Sequence, residues 1–310
     1  MELAIQARGL RKRYGSTEVL AGLDLAVPTG SIFALLGPNG AGKTTTIGIL
    51  TTLVRADAGE ATVVGADVRT APGEVQRRIA LTGQSAAVDG ELTAIENLVM
   101  LGRLSGLGRR QARAKAAELL ARFELEGAAK RRVSTFSGGM RRRLDLSLSL
   151  VVDVPVLFLD EPTTGLDTRS RQELWAIIRS LADAGTTVFL TTQYLEEADR
   201  LADRIAVLDH GAIAAEGTAA ELKARVGGEF VELRDADGVL LREIPTDGSV
   251  HALRGAIDEL DRSELGAVPG ARIGIRRPSL DDVFLAITAG GTPGRSGGSA
   301  ARSGELLETN

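Results

Sequence analysis

The sequence predicts an α/β chain with helices packed around a parallel sheet, and three observations carry that prediction. Short apolar runs at residues 31–36, 156–159 and 187–191 read as buried strands, each with helical spacing after it. The first run opens into Gly37-Pro38-Asn39-Gly40-Ala41-Gly42-Lys43-Thr44-Thr45, a glycine-rich turn entering a helix. The second ends in two adjacent carboxylates, Asp160 and Glu161.

Taken in order, residues 3–8 and 18–27 alternate apolar and polar as strands of a half-exposed sheet do. A helix is expected from about residue 42, and residues 60–64 continue the strand pattern up to Gly65. From about residue 85 to 152 the spacing turns helical, with an amphipathic Ala- and Arg-rich stretch at 109–123, and reads as a helical insertion. The core then resumes with helices at 169–182 and 195–202. Strands at 204–209 and 212–215 follow, joined by the hairpin-type turn Asp209-His210-Gly211. Composition shifts again at Gly227-Gly228. Residues 229–234 and 240–244 flank Asp235-Ala236-Asp237-Gly238, a second hairpin signal, ahead of a helix at 250–260, a strand at 272–276 and a short helix at 280–287. The expected organisation is a main domain over 1–225 with 85–152 inserted, a small α+β appendage over 226–288, and a tail over 289–310. That tail is Gly, Ser, Thr, Pro and Arg with little to bury, a composition that predicts disorder.

Composition removes several function classes. The 310 residues carry a net charge of -4, so no basic field favours nucleic acid as a partner. There are no cysteines, which excludes disulfides, thiolate metal sites and cysteine nucleophiles and fits a cytosolic compartment. With 44% hydrophobic but only 3% aromatic residues, the core has to be built from Ala, Leu, Val and Ile. No apolar stretch approaches the roughly 20 residues of a membrane-spanning helix. The richest candidate, at 144–159, is broken by Asp145, Asp153 and Pro155, and the N-terminus lacks the basic-then-apolar layout of a secretory signal. A role at a membrane would require docking on another chain.

The string from Gly37 to Thr44 is a complete phosphate-loop pattern. Its glycines let backbone N–H groups converge on an anion at a helix N-terminus. Lys43 is expected to reach the β and γ phosphates, and the Thr44 hydroxyl to ligate Mg²⁺. An acidic pair after a strand is often only a helix cap or a solvated turn. Here Asp160-Glu161 runs on into Pro162-Thr-Thr-Gly165-Leu-Asp167. One carboxylate holding Mg²⁺ and a second polarising the attacking water is the division of labour that ATP hydrolysis needs. Tyr14, in Lys12-Arg13-Tyr14-Gly15, could stack on adenine or be a packed surface tyrosine. Gln84 alone says almost nothing. The basic residues at 109–115, 130–132 and 141–143 read most simply as solvated helix faces.

Between phosphate loop and acidic strand end lies Ser137-Gly138-Gly139-Met140. This tetrapeptide resembles the signature motif of the ATP-binding cassette (ABC) family, commonly LSGGQ. The order Tyr14, phosphate loop, Gln84, SGGM, Asp160-Glu161, Gly165-Leu-Asp167 is similar to an ABC nucleotide-binding domain over about residues 3 to 225. The resemblance implies a P-loop NTPase (RecA-like) core with an antiparallel β subdomain and a helical subdomain. It makes Tyr14 the adenine-stacking residue, and Gln84 the residue that joins the Mg²⁺ site and senses a transmembrane partner. By the same resemblance Asp160 is a Mg²⁺ ligand and Glu161 the base. Asp167 would lie in a loop crossing a dimer interface, and Ser137 to Met140 would contact ATP held by the opposite protomer. A homodimer binding ATP and Mg²⁺ is implied.

Two departures from the family pattern narrow it. Met140 stands where Gln is usual, a mild change because the serine and glycines carry the phosphate contact. Gln193 stands where most members have histidine against the γ-phosphate. An amide can still donate there but cannot carry a proton. Thr191-Thr-Gln-Tyr-Leu-Glu-Glu-Ala-Asp199, Phe136-Ser-Gly-Gly-Met-Arg-Arg-Arg-Leu144 and Arg276-Arg-Pro-Ser-Leu-Asp-Asp-Val-Phe-Leu285 together resemble the daunorubicin/doxorubicin resistance ATP-binding subunits. That resemblance implies a bacterial ATPase at the cytoplasmic face of the membrane, paired with a separate integral-membrane permease for antibiotic efflux. The segment at 280–287 is then either an assembly motif or a helix closing the appendage's core. The alternatives are a ribosome- or DNA-associated ABC ATPase, or an exporter of lipid or polysaccharide.

Overall fold

The computed structural model describes residues 2–83, 88–263 and 268–288. These divide into two compact units, one ending at Leu222 and one beginning at Lys223. In the first, strands β1 (Leu3–Tyr14) and β2 (Thr17–Pro28) form an antiparallel pair, and β3 (Ile32–Leu36) delivers the glycine-rich turn to α1 (Lys43–Leu50). With β4 (Ala58–Val63) and β5 (Ala66–Asp67) the first sheet has the order β2-β1-β4-β5, antiparallel throughout. Next come α2 (Pro72–Gln76), β6 (Ile79–Thr82), and the helices α3 (Ala94–Leu104), α4 (Arg109–Arg122) and α5 (Gly138–Ser149). The chain then alternates through β7 (Val156–Asp160), α6 (Thr168–Asp183), β8 (Thr187–Thr192), α7 (Leu195–Leu201), β9 (Arg204–Asp209), β10 (Ala212–Gly217) and α8 (Ala219–Val226).

The second sheet has the order β10-β9-β3-β8-β7-β6, parallel from β9 to β6 with β10 antiparallel at the edge. Every residue of β3, β7 and β8 is buried. Strands covered on both faces need apolar side chains on both, which is why these three read as unbroken runs. Phe189 stands at their centre, stacked on Phe33 at 5.7 Å and tilted against Phe158 at 5.6 Å. One apolar core joins both sheets through α1, from Ile5, Leu10 and Leu23 to Ile47, Phe158 and Leu208. β6 is a strand the apolar pattern does not announce. Ile79-Ala80-Leu81-Thr82 is short, and three of its four residues are only half-buried at the sheet's edge.

The second unit holds β11 (Phe230–Arg234), β12 (Leu240–Pro245), α9 (Val250–Asp261), β13 (Arg272–Arg276) and α10 (Leu280–Thr288). Its sheet runs β12-β11-β13, antiparallel, with Val231 and Leu233 packed on Ala256 and Leu260 of α9. Arg276 ties it together. Its guanidinium meets Asp282 at 2.7 Å, Glu232 at 2.8 Å and Glu243 at 3.0 Å, over the Phe230 ring. Those carboxylates, Asp282 foremost, hold it firmly protonated. Leu280 and Val283 are buried, as a helix closing a small core requires. Among the described residues no helix is long and apolar enough to cross a membrane.

Candidate functional site

The glycine-rich turn is forced by its neighbours. A Cβ on Gly37 would stand 2.6 Å from the Leu208 carbonyl oxygen. Gly42 has φ 111°, and a Cβ there would meet Leu20 at 2.8 Å and the Val19 carbonyl at 2.9 Å. Gly42 caps α1 without a side-chain hydrogen bond, so no side chain claims the helix's first N–H groups. Lys43 is buried; its Nζ donates to the Gly37 and Pro38 carbonyls at 2.9 and 3.0 Å and lies 3.2 Å from Glu161 Oε1. A cavity of about 340 Å³ gathers Tyr14, Asn39, Gly40, Gly42, Lys43, Thr44, Thr45 and Glu161. Tyr14 is half exposed on its rim, with Lys12 Nζ 5.4 Å from the ring centroid.

Behind the cavity, Asp160 ends β7 and is buried. Thr44 Oγ1 donates to its Oδ2 at 3.0 Å, and Thr191 Oγ1 donates to its Oδ1 at 2.6 Å. The facing Thr44 hydroxyl and Asp160 carboxylate are hard oxygen donors. They suit Mg²⁺, which takes one or two protein ligands and completes its shell with phosphate and water. Glu161 follows with φ 48°, a left-handed backbone that non-glycine residues rarely adopt. Its N–H is held by both the carbonyl and the hydroxyl of Thr191, each at 3.1 Å. Thr164 Oγ1 donates to its Oε2 at 3.3 Å. Gln193 is half-buried just beyond β8, two residues after the Thr191 that pairs with Asp160. Gln84 lies outside the described residues.

Ser137 to Met140 line no part of this cavity. Ser137 caps α5, accepting from the Met140 N–H at 3.3 Å, and both Ser137 and Gly138 are exposed. Gly139 is buried because α6 leaves no room: a Cβ would stand 2.4 Å from Ser170 Oγ. Asp167 caps α6, taking the Ser170 N–H and hydroxyl at 2.9 Å each, which holds its carboxyl below the usual range. A separate cavity of about 230 Å³ brings Gly138, Arg141 and Arg142 to Glu161, Thr164 and Gly165. The two cavities share Glu161 as a lining residue.

The basic triplet is not a solvated face throughout. Arg141 is exposed at the start of α5, but the Arg142 side chain is 11% exposed and donates to four groups: Gly83 O at 2.7 Å, Pro162 O at 2.8 Å, Asp145 Oδ2 at 3.2 Å and Asp160 O at 3.4 Å. Arg143 turns inward as well, pairing with Glu124 and Glu173. Burial pulls the Arg142 guanidinium below its ordinary value, against the opposing charge of Asp145. Consecutive helical residues point about 100° apart, so a run of three arginines cannot all face solvent on a helix packed on two sides. The sequence does carry a signal for this inward turn, Asp145 inside Leu144-Asp-Leu-Ser-Leu148: an acid among leucines needs a cation one turn away. Thr191 has no such signal, because its contact with Asp160 depends on strand register.

A family model described as ABC transporter matches residues 20–164. The chain is 50% identical to the daunorubicin/doxorubicin resistance ATP-binding protein DrrA of Streptomyces peucetius, over 96% of each chain. It is 48% identical to the doxorubicin resistance ATP-binding protein DrrA of Mycobacterium tuberculosis, over 93% of this chain and 94% of that one. A Nod factor export ATP-binding protein of Burkholderia orbicola is 39% identical over 92% and 96%. Among solved structures, an ATP-binding subunit of an ABC transporter matches 72% of this chain and 92% of its own at 27% identity and TM-score 0.63. A dimeric, post-hydrolysis ATP-binding cassette bound to ADP and Pi shares the fold, with TM-score 0.63 at 23% identity, over 69% and 98%.

Proposed function

The chain belongs to the ATP-binding subunits of ABC transporters and is an ATPase subunit, and from that premise we propose that it energises a separate integral-membrane permease for drug efflux. It works as a homodimer enclosing two ATP, peripheral at the cytoplasmic face of a bacterial membrane. The observation that carries the catalytic part is the end of β7, where Asp160 meets Thr44 and Glu161 meets Lys43 at one helix N-terminus. The α1 N–H groups and Lys43 bind the phosphates, Tyr14 stacks on the adenine, and Thr44, Asp160 and Gln84 hold Mg²⁺. Bound Mg²⁺ neutralises charge building on the transferred phosphoryl group. Glu161 orients and polarises the attacking water, and Gln193 donates an uncharged hydrogen bond to the γ-phosphate. Ser137 to Met140 of one protomer close over the nucleotide of the other.

Likeness to the resistance proteins along nearly the whole chain supports a drug as the cargo. The Nod factor export relative supports a second reading, export of a non-drug molecule. The test is to co-express the chain with a candidate integral-membrane permease subunit and to follow doxorubicin retained by cells. Retention should fall, and fall only when ATP hydrolysis is intact. Unchanged retention by a membrane-assembled, ATP-hydrolysing pair would turn the reading to the other cargo.

A further inference from the structure

Glu161 holds a backbone conformation that costs free energy and persists only where its surroundings over-determine it. One set of restraints comes from β8, through the two Thr191 acceptors of the Glu161 N–H. The other comes from α5. Arg142 spans the residue with a single planar group, donating to the carbonyl before it, Asp160 O, and to the carbonyl after it, Pro162 O. A third arm reaches Gly83 O, the last described residue before Gln84. Only a guanidinium has the donors and the rigid fork for three such carbonyls and a carboxylate at once. An ammonium has three rotatable donors on one atom. Asp145, itself buried on the same helix, keeps the cation in place.

We propose that Arg142 is a positioning residue for hydrolysis: its guanidinium fixes the turn Asp160-Glu161-Pro162 so that the Glu161 carboxylate is presented to the attacking water. This rests on the reading of Glu161 as the water-activating group. Arg142 lines the smaller cavity together with Glu161 and not the phosphate-loop cavity, so its loss should act on the rate of the chemical step rather than on nucleotide binding at that loop. A displacement of the order of 1 Å at a reacting group costs about 100-fold in rate, which bounds the expected effect.

The experiment compares full-length wild type, Arg142→Lys, Glu161→Gln and the double variant. It measures steady-state kcat and KM, the Kd of a fluorescent ATP analogue, single-turnover hydrolysis and thermal midpoint. Arg142→Lys keeps a cation for Asp145 but loses the fork. Its kcat should fall about 10- to 100-fold while KM and Kd stay within about twofold. Because Arg142 acts through Glu161, adding Arg142→Lys to Glu161→Gln should cost nothing further in the single-turnover rate. A kcat within twofold of wild type overturns the proposal. So does an equal loss of nucleotide affinity, or a loss in the double variant that multiplies the two single losses. Should Arg142→Lys not fold, Arg142→Gln with Asp145→Asn removes the buried charge pair together and is judged by the same measurements. Undiminished hydrolysis by Glu161→Gln alone overturns the Glu161 reading directly, and this inference with it.

Discussion

Two helix N-termini in the first unit are the ones we assign to phosphate, and they are built differently. α1 starts at a left-handed glycine with no side-chain cap, behind a buried lysine and two carboxylates. α5 starts at an extended serine whose hydroxyl already satisfies the Met140 N–H, and both Ser137 and Gly138 are exposed. Both termini present backbone N–H groups and a helix dipole, worth about 0.3–1 kcal/mol each to a nearby anion. Only α1 adds the lysine and the Thr44–Asp160 pair that phosphoryl chemistry needs. In the proposed function the α5 terminus would hold a phosphate, and it carries no lysine or Thr–Asp pair of its own with which to hydrolyse it. That difference gives physical content to the proposed site shared between two copies: one terminus would hold the nucleotide, the other would complete the enclosure.

The sharpest way to break the comparison is at the carboxylate that lines both cavities. Glu161→Gln keeps the shape and removes the base, so kcat should fall about 10²- to 10⁴-fold with ATP affinity retained. A dimer trapped with ATP should then be seen by size-exclusion chromatography. Steady-state hydrolysis at the wild-type rate would remove Glu161 from the chemistry.

A smaller effect separates the two termini. Ser137→Ala removes the α5 cap, at about 0.5–2 kcal/mol of stability, together with a hydroxyl facing solvent. ATP binding to the isolated chain should be unchanged while turnover drops. Lys43→Ala should lose ATP binding instead. Mixing the two inactive variants tests whether the site is shared. A mixed dimer carries one site with an intact Lys43 from one chain and an intact Ser137 from the other, so part of the turnover should return. No recovery from a mixture shown to form dimers would mean that each chain works alone.

How far the sequence foretold each terminus differs in the same way. The phosphate loop is a contiguous string whose job is local, so it is readable without a structure, as is the acidic end of β7. Residues that reach across the fold are not. Thr191 touches Asp160 only because β7 and β8 pair with those two residues opposite one another. For Arg142 the buried acid Asp145 hints at an inward turn, but its reach to the ends of β6 and β7 shows only in the fold. β6 itself is a half-buried run of four with no alternation to betray it. Asp167, expected at a dimer interface, is first of all the cap of α6, a role that any Asp before a helix could take.

The smallest effect concerns the charge balance beneath α5. Glu197 on α7 is completely buried, accepts from Trp175 Nε1 at 3.0 Å, and feels the Arg142 charge. Burial pushes its carboxyl above the ordinary value of 4.5, and the Thr192, Trp175 and Arg142 contributions oppose that rise without cancelling it. A carboxyl whose folded pKa is raised binds its proton more tightly in the folded state. Its stabilising effect is complete below pH 4.5 and is lost as pH rises from there through the folded value. Glu197→Gln keeps an acceptor for Trp175 and never ionises, so it lacks this loss. Thermal midpoints of wild type and variant at pH 5 and pH 8 should therefore show the wild type declining relative to the variant as pH rises. A wild type that gains on the variant with rising pH would mean the ionised Glu197 stabilises the fold. The Arg142 charge would then be balanced by two buried carboxylates, Asp145 and Glu197, and the seat of α5 would depend on both.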